Sequence, residues 1–451
     1  MAPALFGTDG IRGKANVYPI TAKMALKIGR AAGMVFQEGH KHTCKVVIGK
    51  DTRLSGYMLE FALAAGLLST GIEVYFLGPM PTPAIAHLTK SFAADGGIVI
   101  SASHNPYYDN GLKFFDKEGF KLADEVEMRI EALALNGIDT DHISEVGQAH
   151  RVNDARGRYI EFAKNSIRNC SLEGLTVILD CANGATYHIT KHILTELGAK
   201  VILKNATPDG KNINEYCGAM HPDLLKEDVL REKADVAVAL DGDGDRLIML
   251  DELGNVINGD KILAIAAIQL QKENSLFQNT IVTTPYSNLA FVQAMEERGI
   301  KVVSVQTGDR YVIEEMRRCG YNLGGEQSGH TIFSDHSTTG DGTISALQIL
   351  KIMKDSGQRL SELSKIFTDY PQIALNVEAS EKKPLEEMPN LVSKIKEVEQ
   401  RLGKWGRVFV RYSGTQPLLR IMIEGRDKAE IERYAQEIAA EVKRDSSYGN
   451  N

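Results

Sequence analysis

The chain has no apolar run close to the ~20 residues that a membrane-spanning helix requires. Its longest candidates, such as Ile262–Ile268, have the length of a buried helix or strand. The start of the sequence, Met1–Gly10, lacks the basic and apolar segments of a secretory signal, so we expect a cytoplasmic protein. With 43% hydrophobic and 25% charged residues, the composition is that of a globular protein and excludes a chain that is disordered throughout.

Cysteine is scarce, and the five residues are widely spaced and odd in number. No Cys-x-x-Cys pair is present, so the spacing indicates neither a disulfide framework nor a zinc site. Free thiols are predicted at Cys44, Cys170, Cys181, Cys217 and Cys319.

Positive charge is not in excess either, since 52 Lys and Arg face 59 Asp and Glu. No basic run resembles a nucleic-acid footprint. We therefore expect no nucleic-acid partner, and any anionic ligand must be bound by local groups.

Three apolar, β-branched runs are each followed by a loop rich in Gly, Asp or Asn and then by a helix-like segment. They are Lys45–Asp51, Thr176–Gly184 and Thr280–Ser287. Strands that alternate with helices predict α/β layers with largely parallel sheets, whose functional loops lie at the carboxyl ends of strands. At ~150 residues per domain, 451 residues predict about three domains, with two to four inside the error. The three runs suggest a repeated α/β unit.

The composition changes near residue 370, where Tyr370-Pro371 precedes a short apolar run and a charged stretch. The last ~80 residues have the length of a smaller α+β module. An apolar stripe at spacings of 3, 4 and 4 predicts its final helix through Ile431, Tyr434, Ile438 and Val442. We expect this stripe to pack on the module's own sheet.

The first loop that carries chemistry follows the predicted strand in Gly96–Pro106. Ser103 comes just past the strand end, where a hydroxyl can be presented to a cleft. The plain alternative is a turn whose Ser and Asn side chains bond to the local backbone. The same loop continues to Lys113, which adds an ammonium near a candidate phosphorylatable hydroxyl.

The second loop carries three carboxylates at alternate positions, Asp241, Asp243 and Asp245, separated only by glycines. Glycine permits the backbone angles that let all three point at one centre. Oxygen-only ligands indicate a hard cation, Mg²⁺ or Ca²⁺. An EF-hand competes because Glu252 falls at its twelfth position, but Arg246 stands where that loop needs glycine and the flanks are predicted strands. We interpret the loop as a metal site.

The third loop, Gly324–His330, alternates Glu326 and Ser328 between glycines. This arrangement suits the binding of two neighbouring sugar hydroxyls, with His330 as a further donor or acid/base group. Outside this context the segment is a Gly-rich turn.

The fourth loop, Arg411–Arg420, has a guanidinium at each end of a Ser-Gly-Thr turn. Hydroxyl and N–H groups of this turn can converge on an anion, and Arg adds bidentate contacts to phosphate. A surface turn with incidental arginines is the alternative. No G-x-x-x-x-G-K-[ST] motif is present, so a nucleotide P-loop does not supply the phosphate. Together the four loops predict phosphoryl transfer on a sugar.

These motifs and their order resemble those of the α-D-phosphohexomutases over nearly the whole chain. The residues that carry the resemblance are Ser101–Pro106, Asp241–Arg246, Gly325–His330 and Arg411–Thr415. Further segments are similar to the branch of that family that acts on glucosamine phosphates: Phe6–Gly13, Gly49–Gly56, Asp180–Tyr187, Gln327 and Thr339–Gly342.

The resemblance implies a heart-shaped α/β protein with three similar α/β domains and a smaller C-terminal α+β domain. It implies the phosphoserine loop in residues 1–150, the metal loop in 151–256, the sugar loop in 257–369 and the phosphate loop in 370–451.

The resemblance also implies a role for each motif residue. Ser103 would carry the phosphoryl group, and Mg²⁺ would be held by the phosphoserine with Asp241, Asp243 and Asp245. Glu326 and Ser328 would hold the sugar. The phosphate that is not reacting would be bound by Arg411, Ser413, Gly414, Thr415 and Arg420. Proton transfer or transition-state charge would fall to Lys113, His330, Arg12 and Arg246, and the choice of base between Lys113 and His330 stays open.

Two segments depart from the family pattern. Gln416 stands where the family usually has Glu, and the Ala-Met within Asn214–Pro222 is atypical. They leave open the binding of the far phosphate and the sugar preference.

The implied activity interconverts glucosamine 6-phosphate and glucosamine 1-phosphate for UDP-N-acetylglucosamine synthesis. Phospho-Ser103 would give its phosphoryl group to the sugar monophosphate, forming a 1,6-bisphosphate. This intermediate would reorient in the site and return its other phosphoryl group to Ser103. Glucosamine or glucose 1,6-bisphosphate is the expected activator. A mutase of glucose or mannose phosphates is the alternative; a non-catalytic phosphosugar-binding protein is disfavoured because Ser103, the three aspartates and Lys113 are present. The sequence leaves open the oligomeric state, with a homodimer as one candidate, and how Ser103 is first phosphorylated.

Overall fold

The computed structural model describes residues 5–7, 9–137, 145–378, 384–412 and 418–447. The chain forms two compact units. Unit 1 consists of Met1–Tyr286 with Ile300–Ile366, and unit 2 consists of Ser287–Gly299 with Phe367–Asn451. Among the described helices, none is long and apolar enough to cross a membrane.

The first sheet of unit 1 has six strands in the order β1-β5-β4-β2-β3-β6. They are β1 (Ile11–Lys14), β2 (Lys45–Lys50), β3 (Glu73–Pro79), β4 (Gly96–Ile100), β5 (Asp109–Asp116) and β6 (Ala149–Arg151). Its helices are α1 (Ala22–Gln37), α2 (Ser55–Leu68), α3 (Thr82–Ser91) and α4 (Asp124–Asn136). The central strands β4, β2 and β3 are parallel, whereas β5 runs antiparallel to β4 and β1.

The second sheet has the order β11-β10-β9-β7-β8. Its strands are β7 (Thr176–Asp180), β8 (Lys200–Lys204), β9 (Val236–Leu240), β10 (Leu247–Asp251) and β11 (Val256–Ile257), with helices α5 (Ala155–Asn165), α6 (Thr190–Glu196) and α7 (Lys226–Glu232). Strands β8, β7 and β9 are parallel, and β10 reverses the direction.

The third sheet has the order β13-β12-β14-β15. Its strands are β12 (Thr280–Thr283), β13 (Lys301–Ser304), β14 (Leu323–Gly325) and β15 (Thr331–Phe333). The associated helices of unit 1 are α8 (Gly259–Lys272), α10 (Asp309–Cys319), α11 (Gly342–Ser356) and α12 (Leu360–Leu363). Again the first three strands are parallel and the last, β15, is antiparallel.

Unit 2 contains one antiparallel sheet in the order β16-β18-β17. Its elements are α9 (Leu289–Glu296), β16 (Gln372–Glu378), α13 (Pro389–Leu402), β17 (Gly406–Tyr412), β18 (Leu418–Gly425) and α14 (Lys428–Ser447). Short 3₁₀ turns complete the two units at Gly218–Met220, Pro222–Leu225, Phe277–Asn279, Leu385–Glu387 and Gly403–Trp405.

The hydrophobic cores follow the sequence pattern. The three runs predicted as strands form β2, β7 and β12, and the apolar run Ile262–Ile268 is part of α8. In unit 2 the stripe on α14 is buried against the sheet with Val377, Leu419 and Ile421, which confirms the predicted packing face. Strands covered on both sides need apolar residues on both faces, which explains the short continuous runs in unit 1. No disulfide joins the five cysteines, all of which lie in the described part of the chain.

Candidate active site

The Ser103 loop connects β4 to β5, and its backbone is left-handed at Ser103. Ser103 adopts φ +53°, a conformation that residues other than glycine rarely take, and it is 1% exposed. Its N–H donates to Oγ of Ser101 over 2.9 Å, and that Oγ donates to Asp51 over 2.6 Å. The loop is therefore held from within by a side chain two residues earlier.

Arg53 fixes the same loop from behind. Its guanidinium is fully buried and donates to the carbonyls of Ser103 (2.9 Å), Asn105 (2.8 Å) and Pro106, and to Asp51 (2.8 Å). The amide of Asn214 donates to the first two of these carbonyls over 2.9 and 3.0 Å. With the carbonyls turned toward these donors, the hydroxyl of Ser103 is directed to Asp241, whose Oδ2 lies 2.8 Å away.

Three carboxylates converge where β9 turns into β10. Asp241, Asp243 and Asp245 are buried, and one oxygen from each lies within 4.8 Å of the others. Burial, with the charges of Asp245 and Asp243, raises the pKa of Asp241 well above its usual range. Strands flank this loop on both sides, as expected for a site that is not an EF-hand.

The aspartates meet the requirements of a hard cation. Oδ1 of Asp243 and Oδ1 of Asp245 are buried without a hydrogen-bond partner among the described residues. A buried carboxylate oxygen is costly unless something compensates its charge. Oxygen ligands from three carboxylates suit Mg²⁺. The residues therefore fit the metal that the sequence predicts.

Lys113, on β5, joins this cluster as a cation. Its Nζ lies 2.8 Å from Asp243, 3.3 Å from Asp245 and 3.2 Å from Asp9. Burial alone would lower the pKa of Lys113, but the three carboxylates raise it well above its usual range. In this arrangement the side chain is an ammonium.

His330 lies on the other side of Asp245, with its Nδ1 3.7 Å from Oδ1 of that residue and its Nε2 3.4 Å from Asp309. Burial would lower its pKa, but Asp309 and Asp245 raise it to about 9. The N–H of Gly340 also points at Nε2, over 3.1 Å, and favours a lone pair there. Two full charges outweigh one backbone dipole, so this arrangement of side chains favours the protonated ring.

Glu326 and Ser328 lie on the tight connection between β14 and β15. The backbone N–H of Glu326 donates to the carbonyl of His330 over 2.9 Å, which closes the turn. The hydroxyl of Ser328 is exposed and donates to the Glu326 carboxylate over 3.3 Å. Because the Ser328 proton is used in this bond, both side chains present acceptor oxygens, which can bind hydroxyl groups of a sugar.

A cleft of about 420 Å³ within unit 1 collects several of these groups, whereas Asp241, Asp243, Lys113 and Ser328 are not among the residues that line it. It is lined by the predicted site residues Arg12, Ser103, Asp245, Arg246, Glu326 and His330, together with Asp9 and Asp309. Arg246 donates its backbone N–H to Asp241 over 3.1 Å, and the guanidinium of Arg12 pairs with Asp9. The cleft thus brings a nucleophile, an acidic cluster and cationic groups together.

The two arginines of the fourth loop belong to unit 2. Arg411 and Arg420 are partners in register on β17 and β18, and both are exposed. Ser413, Gly414, Thr415 and Gln416 lie outside the described residues. The phosphate clamp therefore stays a prediction.

Four family models match the chain in succession. They describe domains I, II and III of phosphoglucomutase/phosphomannomutase, all α/β/α, and its C-terminal domain. The matched residues are 3–140, 157–254, 258–370 and 375–441.

Curated relatives cover almost the whole chain. A phosphoglucosamine mutase of Myxococcus xanthus is 54% identical over 440 residues, 96% of this chain and 96% of its own length. One from Geobacter sp. strain M21 is 52% identical over 442 residues, 97% of each chain. This chain belongs to the α-D-phosphohexomutase superfamily.

Solved structures agree on the fold of the superfamily. A phosphoglucomutase/phosphomannomutase family protein from Burkholderia thailandensis superposes with TM-score 0.78 at 23% identity, covering 97% of this chain and 96% of its own. N-acetylphosphoglucosamine mutase of Aspergillus fumigatus, in complex with GlcNAc-6P and magnesium, gives 0.70 at 18% identity, covering 98% and 96%. The predicted family and the predicted architecture of three α/β domains with a smaller fourth one are confirmed.

Sequence reasoning missed several residues that support the site. Asp9 contacts Arg12, Lys113 and Lys121, and Lys121 also bonds to Asp309. Lys121 and Asp309 do not lie in any of the segments that resemble the superfamily, so the sequence offered no reason to select them. Asp9, like Asp51 and Arg53, does fall in segments similar to the superfamily, and a buried charge inside such a motif was the available signal.

Proposed function

We propose that this chain is a phosphoglucosamine mutase that interconverts glucosamine 6-phosphate and glucosamine 1-phosphate. One observation carries the proposal: a buried serine hydroxyl lies 2.8 Å from the first of three convergent aspartates, in a chain about half identical to phosphoglucosamine mutases over its length. The reaction is an isomerisation by phosphoryl transfer, and it feeds the synthesis of UDP-N-acetylglucosamine.

Phosphorylated Ser103 and Mg²⁺ are the cofactors. The ion would be held by Asp241, Asp243, Asp245 and the phosphate on Ser103. When bound, it neutralises the charge of the phosphoryl oxygens during transfer. The Aspergillus relative with GlcNAc-6P and magnesium supports this assignment.

The residues of the chain orient and stabilise the transferring group. The donors of Arg53 and Asn214 fix the Ser103 backbone, so that its Oγ points into the cleft in one direction. Positioning and electrostatics supply nearly all the catalysis of phosphoryl transfer. Lys113, Arg12 and Arg246 contribute positive charge around the transferring oxygens.

Proton transfer falls to His330 or Lys113. Each has a proton to give in the arrangement described, so each can act as the acid toward a leaving oxygen. The residue that takes the sugar's hydroxyl proton must first lose its own. His330, with a pKa of about 9, is the closer of the two to physiological pH.

The substrate has to bind in two orientations. Glu326 and Ser328 hold sugar hydroxyls, and the unreacted phosphate is bound by Arg411, Ser413, Gly414, Thr415 and Arg420. The intermediate is glucosamine 1,6-bisphosphate, and glucose 1,6-bisphosphate can also phosphorylate Ser103. Such a site reads phosphate without reading which carbon carries it.

We also propose domain bounds, a cellular location and an assembly for this enzyme. The functional domains are residues 1–150, 151–256, 257–369 and 370–451, supported by four family-model matches in the same order. The enzyme works in the cytoplasm on a phosphosugar, without a nucleic-acid partner, and a homodimer is its proposed assembly.

The decisive experiment replaces the nucleophile. A coupled assay with glucosamine 6-phosphate and a trace of glucose 1,6-bisphosphate should show that Ser103→Ala lowers turnover by at least about 10⁴-fold, as for loss of a covalent nucleophile. Ser171→Ala, an exposed serine in unit 1, is the matched control. Phosphopeptide mass spectrometry should find phosphate on Ser103 in the wild type. Undiminished turnover of Ser103→Ala would refute the mechanism.

The description of the family models favours one alternative, a phosphoglucomutase/phosphomannomutase with the same chemistry. Initial rates on glucosamine, glucose and mannose phosphates separate the two. We expect the highest kcat/KM for glucosamine phosphate. A higher value for glucose or mannose phosphate would replace the proposed substrate and leave the role of Ser103 intact.

A further inference from the structure

A second cluster of potential metal-ligating side chains lies at the end of the first sheet where β2 and β4 begin, opposite the end that carries the Ser103 loop. His40, His42 and Cys44 alternate along the segment between α1 and β2, and Asp95 immediately precedes β4. Strands β2 and β4 are parallel neighbours, so the cluster collects at the edge where both begin. The five residues of β4 at about 3.3 Å each separate Asp95 from the Ser103 loop by roughly 17 Å.

The geometry brings four donor atoms together. One ligating atom from each of the four side chains lies within 4.8 Å of all the others. Nε2 of His42 is 3.0 Å and Nδ1 of His40 is 3.9 Å from Oδ1 of Asp95. The other oxygen of Asp95 accepts the N–H of Lys45 over 2.8 Å, so this carboxylate is already oriented.

The thiol distinguishes this cluster from a surface ion pair. Cys44 is fully buried, and its thiol donates to the carbonyls of Phe36 over 3.5 Å and of His42 over 3.8 Å, so a bound metal has to displace the thiol proton. A His42–Asp95 pair has no need of a thiol at the same centre. The two histidines are 36% and 61% exposed in their side chains, so an ion can reach the cluster from solvent.

We propose that His40, His42, Cys44 and Asp95 bind a divalent transition metal of the Zn²⁺ type. Two imidazole nitrogens, one thiolate and one carboxylate oxygen are ligands that zinc takes, at about 2.0–2.3 Å. Tetrahedral bonds of that length put ligand atoms roughly 3.3–3.7 Å apart, so His40 would move a few tenths of an ångström toward Asp95 and His42 slightly away from it. Cysteine spacing alone gave no sign of this site because only one thiol takes part.

The site differs chemically from the aspartate cluster. Oxygen-only ligands select Mg²⁺, whereas imidazole and thiolate select softer ions. The metal would tie the end of α1 and the start of β2 to the start of β4. We infer a stabilising role, because an ion that binds only the folded state raises its stability.

Cobalt titration tests the proposal independently of the mutase activity. The full-length protein is stripped with chelator, saturated with Mg²⁺ and titrated with Co²⁺. We expect one equivalent to give the visible bands of tetrahedral Co²⁺ and a thiolate-to-Co²⁺ charge-transfer band, both removed by Zn²⁺. Cys44→Ser should abolish the charge-transfer band, and His42→Gln and Asp95→Asn should weaken binding at least about tenfold.

Two controls separate this site from other donors. Cys170→Ser removes a thiol outside the cluster and should leave the spectrum unchanged. The double variant His188→Gln/His192→Gln removes two histidines spaced by four residues, another pair that could bind Co²⁺. Bands that vanish in this variant, or that survive Cys44→Ser and His42→Gln, would overturn the proposal. Because His42 is exposed, its variant stays informative if Cys44→Ser fails to fold.

Discussion

Arg53 lies outside the cleft and holds the backbone of the loop that carries Ser103, the proposed nucleophile. Its guanidinium donates four hydrogen bonds, one to the Asp51 carboxylate and three to carbonyls of the Ser103 loop. No other side chain supplies that planar fork. The guanidinium does not touch the transferring group, so Arg53 is a positioning residue.

We expect Arg53→Lys to lower kcat by on the order of 100-fold, because a small displacement of the reacting atom has that effect. KM should change far less, since the substrate-binding side chains are untouched. Steady-state kinetics and the phosphate content of Ser103 are the measurements.

Arg158→Lys is the matched control for Arg53→Lys. Arg158 is exposed and pairs with Asp154 within its own helix turn, so its replacement should alter neither kcat nor stability beyond about 0.5 kcal/mol. An Arg53→Lys enzyme with wild-type kcat would show that the carbonyl contacts do not position Ser103.

The residues of the site fall into two groups: those within a recognisable local sequence pattern and those that come together only in the fold. Ser103 and the three aspartates were predictable because each lies in a short polar loop after an apolar run. Lys121 and Asp309 were not, because single charges 188 residues apart carry no joint pattern. Only the fold places such charges in one network.

At the scale of elements, the three loops of unit 1 that carry the proposed site residues are built in the same way. The loop with Ser103 joins β4 to β5, the aspartate loop joins β9 to β10, and the Glu326 loop joins β14 to β15; each pair is antiparallel. The sequence predicted strands on both flanks of the aspartate loop, but it assigned no strand after the Ser103 loop or the Glu326 loop. Each reversal joins two strands that follow one another along the chain, but local periodicity does not encode the direction in which a strand pairs.

The N-terminus of α11 is capped by a buried carboxylate with an unusual proton affinity. Asp341 accepts the N–H of Ile344 over 2.9 Å and the hydroxyl of Tyr159 over 2.7 Å. Burial raises the pKa of Asp341 to about 6, against the lowering effect of these hydrogen bonds. The folded state therefore binds this proton more tightly than the unfolded state.

This raised pKa predicts a fall in stability with rising pH. The contribution of Asp341 is greatest below the unfolded pKa of about 3.9 and is lost as the pH rises through about 6, a total on the order of 3 kcal/mol. Asp341→Asn keeps the capping oxygen but cannot titrate. Urea unfolding at several pH values should show the wild type losing stability relative to this variant across that window.

Asp209→Asn, in an exposed turn of unit 1, is the control for the Asp341 experiment. A constant difference between the wild type and Asp341→Asn from pH 4 to 7 would contradict the tight proton binding.

At the scale of the whole molecule, we expect the cluster of Asp241, Asp243 and Asp245 to make the free energy of unfolding depend on Mg²⁺. Three carboxylates within 4.8 Å repel each other when the chain folds without a cation. At 100 times its Kd, Mg²⁺ should add about 2.7 kcal/mol, roughly 4 °C in the midpoint of thermal unfolding of unit 1. Asp243→Asn removes one ligand and should abolish most of this shift.

The single tryptophan of the chain, Trp405, allows the effect of Mg²⁺ on one unit to be measured separately. Trp405 belongs to unit 2, which has its own core and contains none of the three aspartates of the cluster. Far-UV circular dichroism follows the whole chain, whereas Trp405 fluorescence follows unit 2. Mg²⁺ should raise the dichroism midpoint more than the fluorescence midpoint. Equal shifts would mean that the ion stabilises both units as one.

The left-handed backbone at Ser103 also limits which amino acid can ever serve there. Threonine has a hydroxyl that accepts phosphate, yet a β-branched side chain is a steric outlier at positive φ. Aspartate tolerates that conformation and forms acyl phosphates in other enzymes. Evolution of a different phosphate carrier on this scaffold would therefore pass more readily through a carboxylate than through the hydroxyl residue nearest to serine in chemistry.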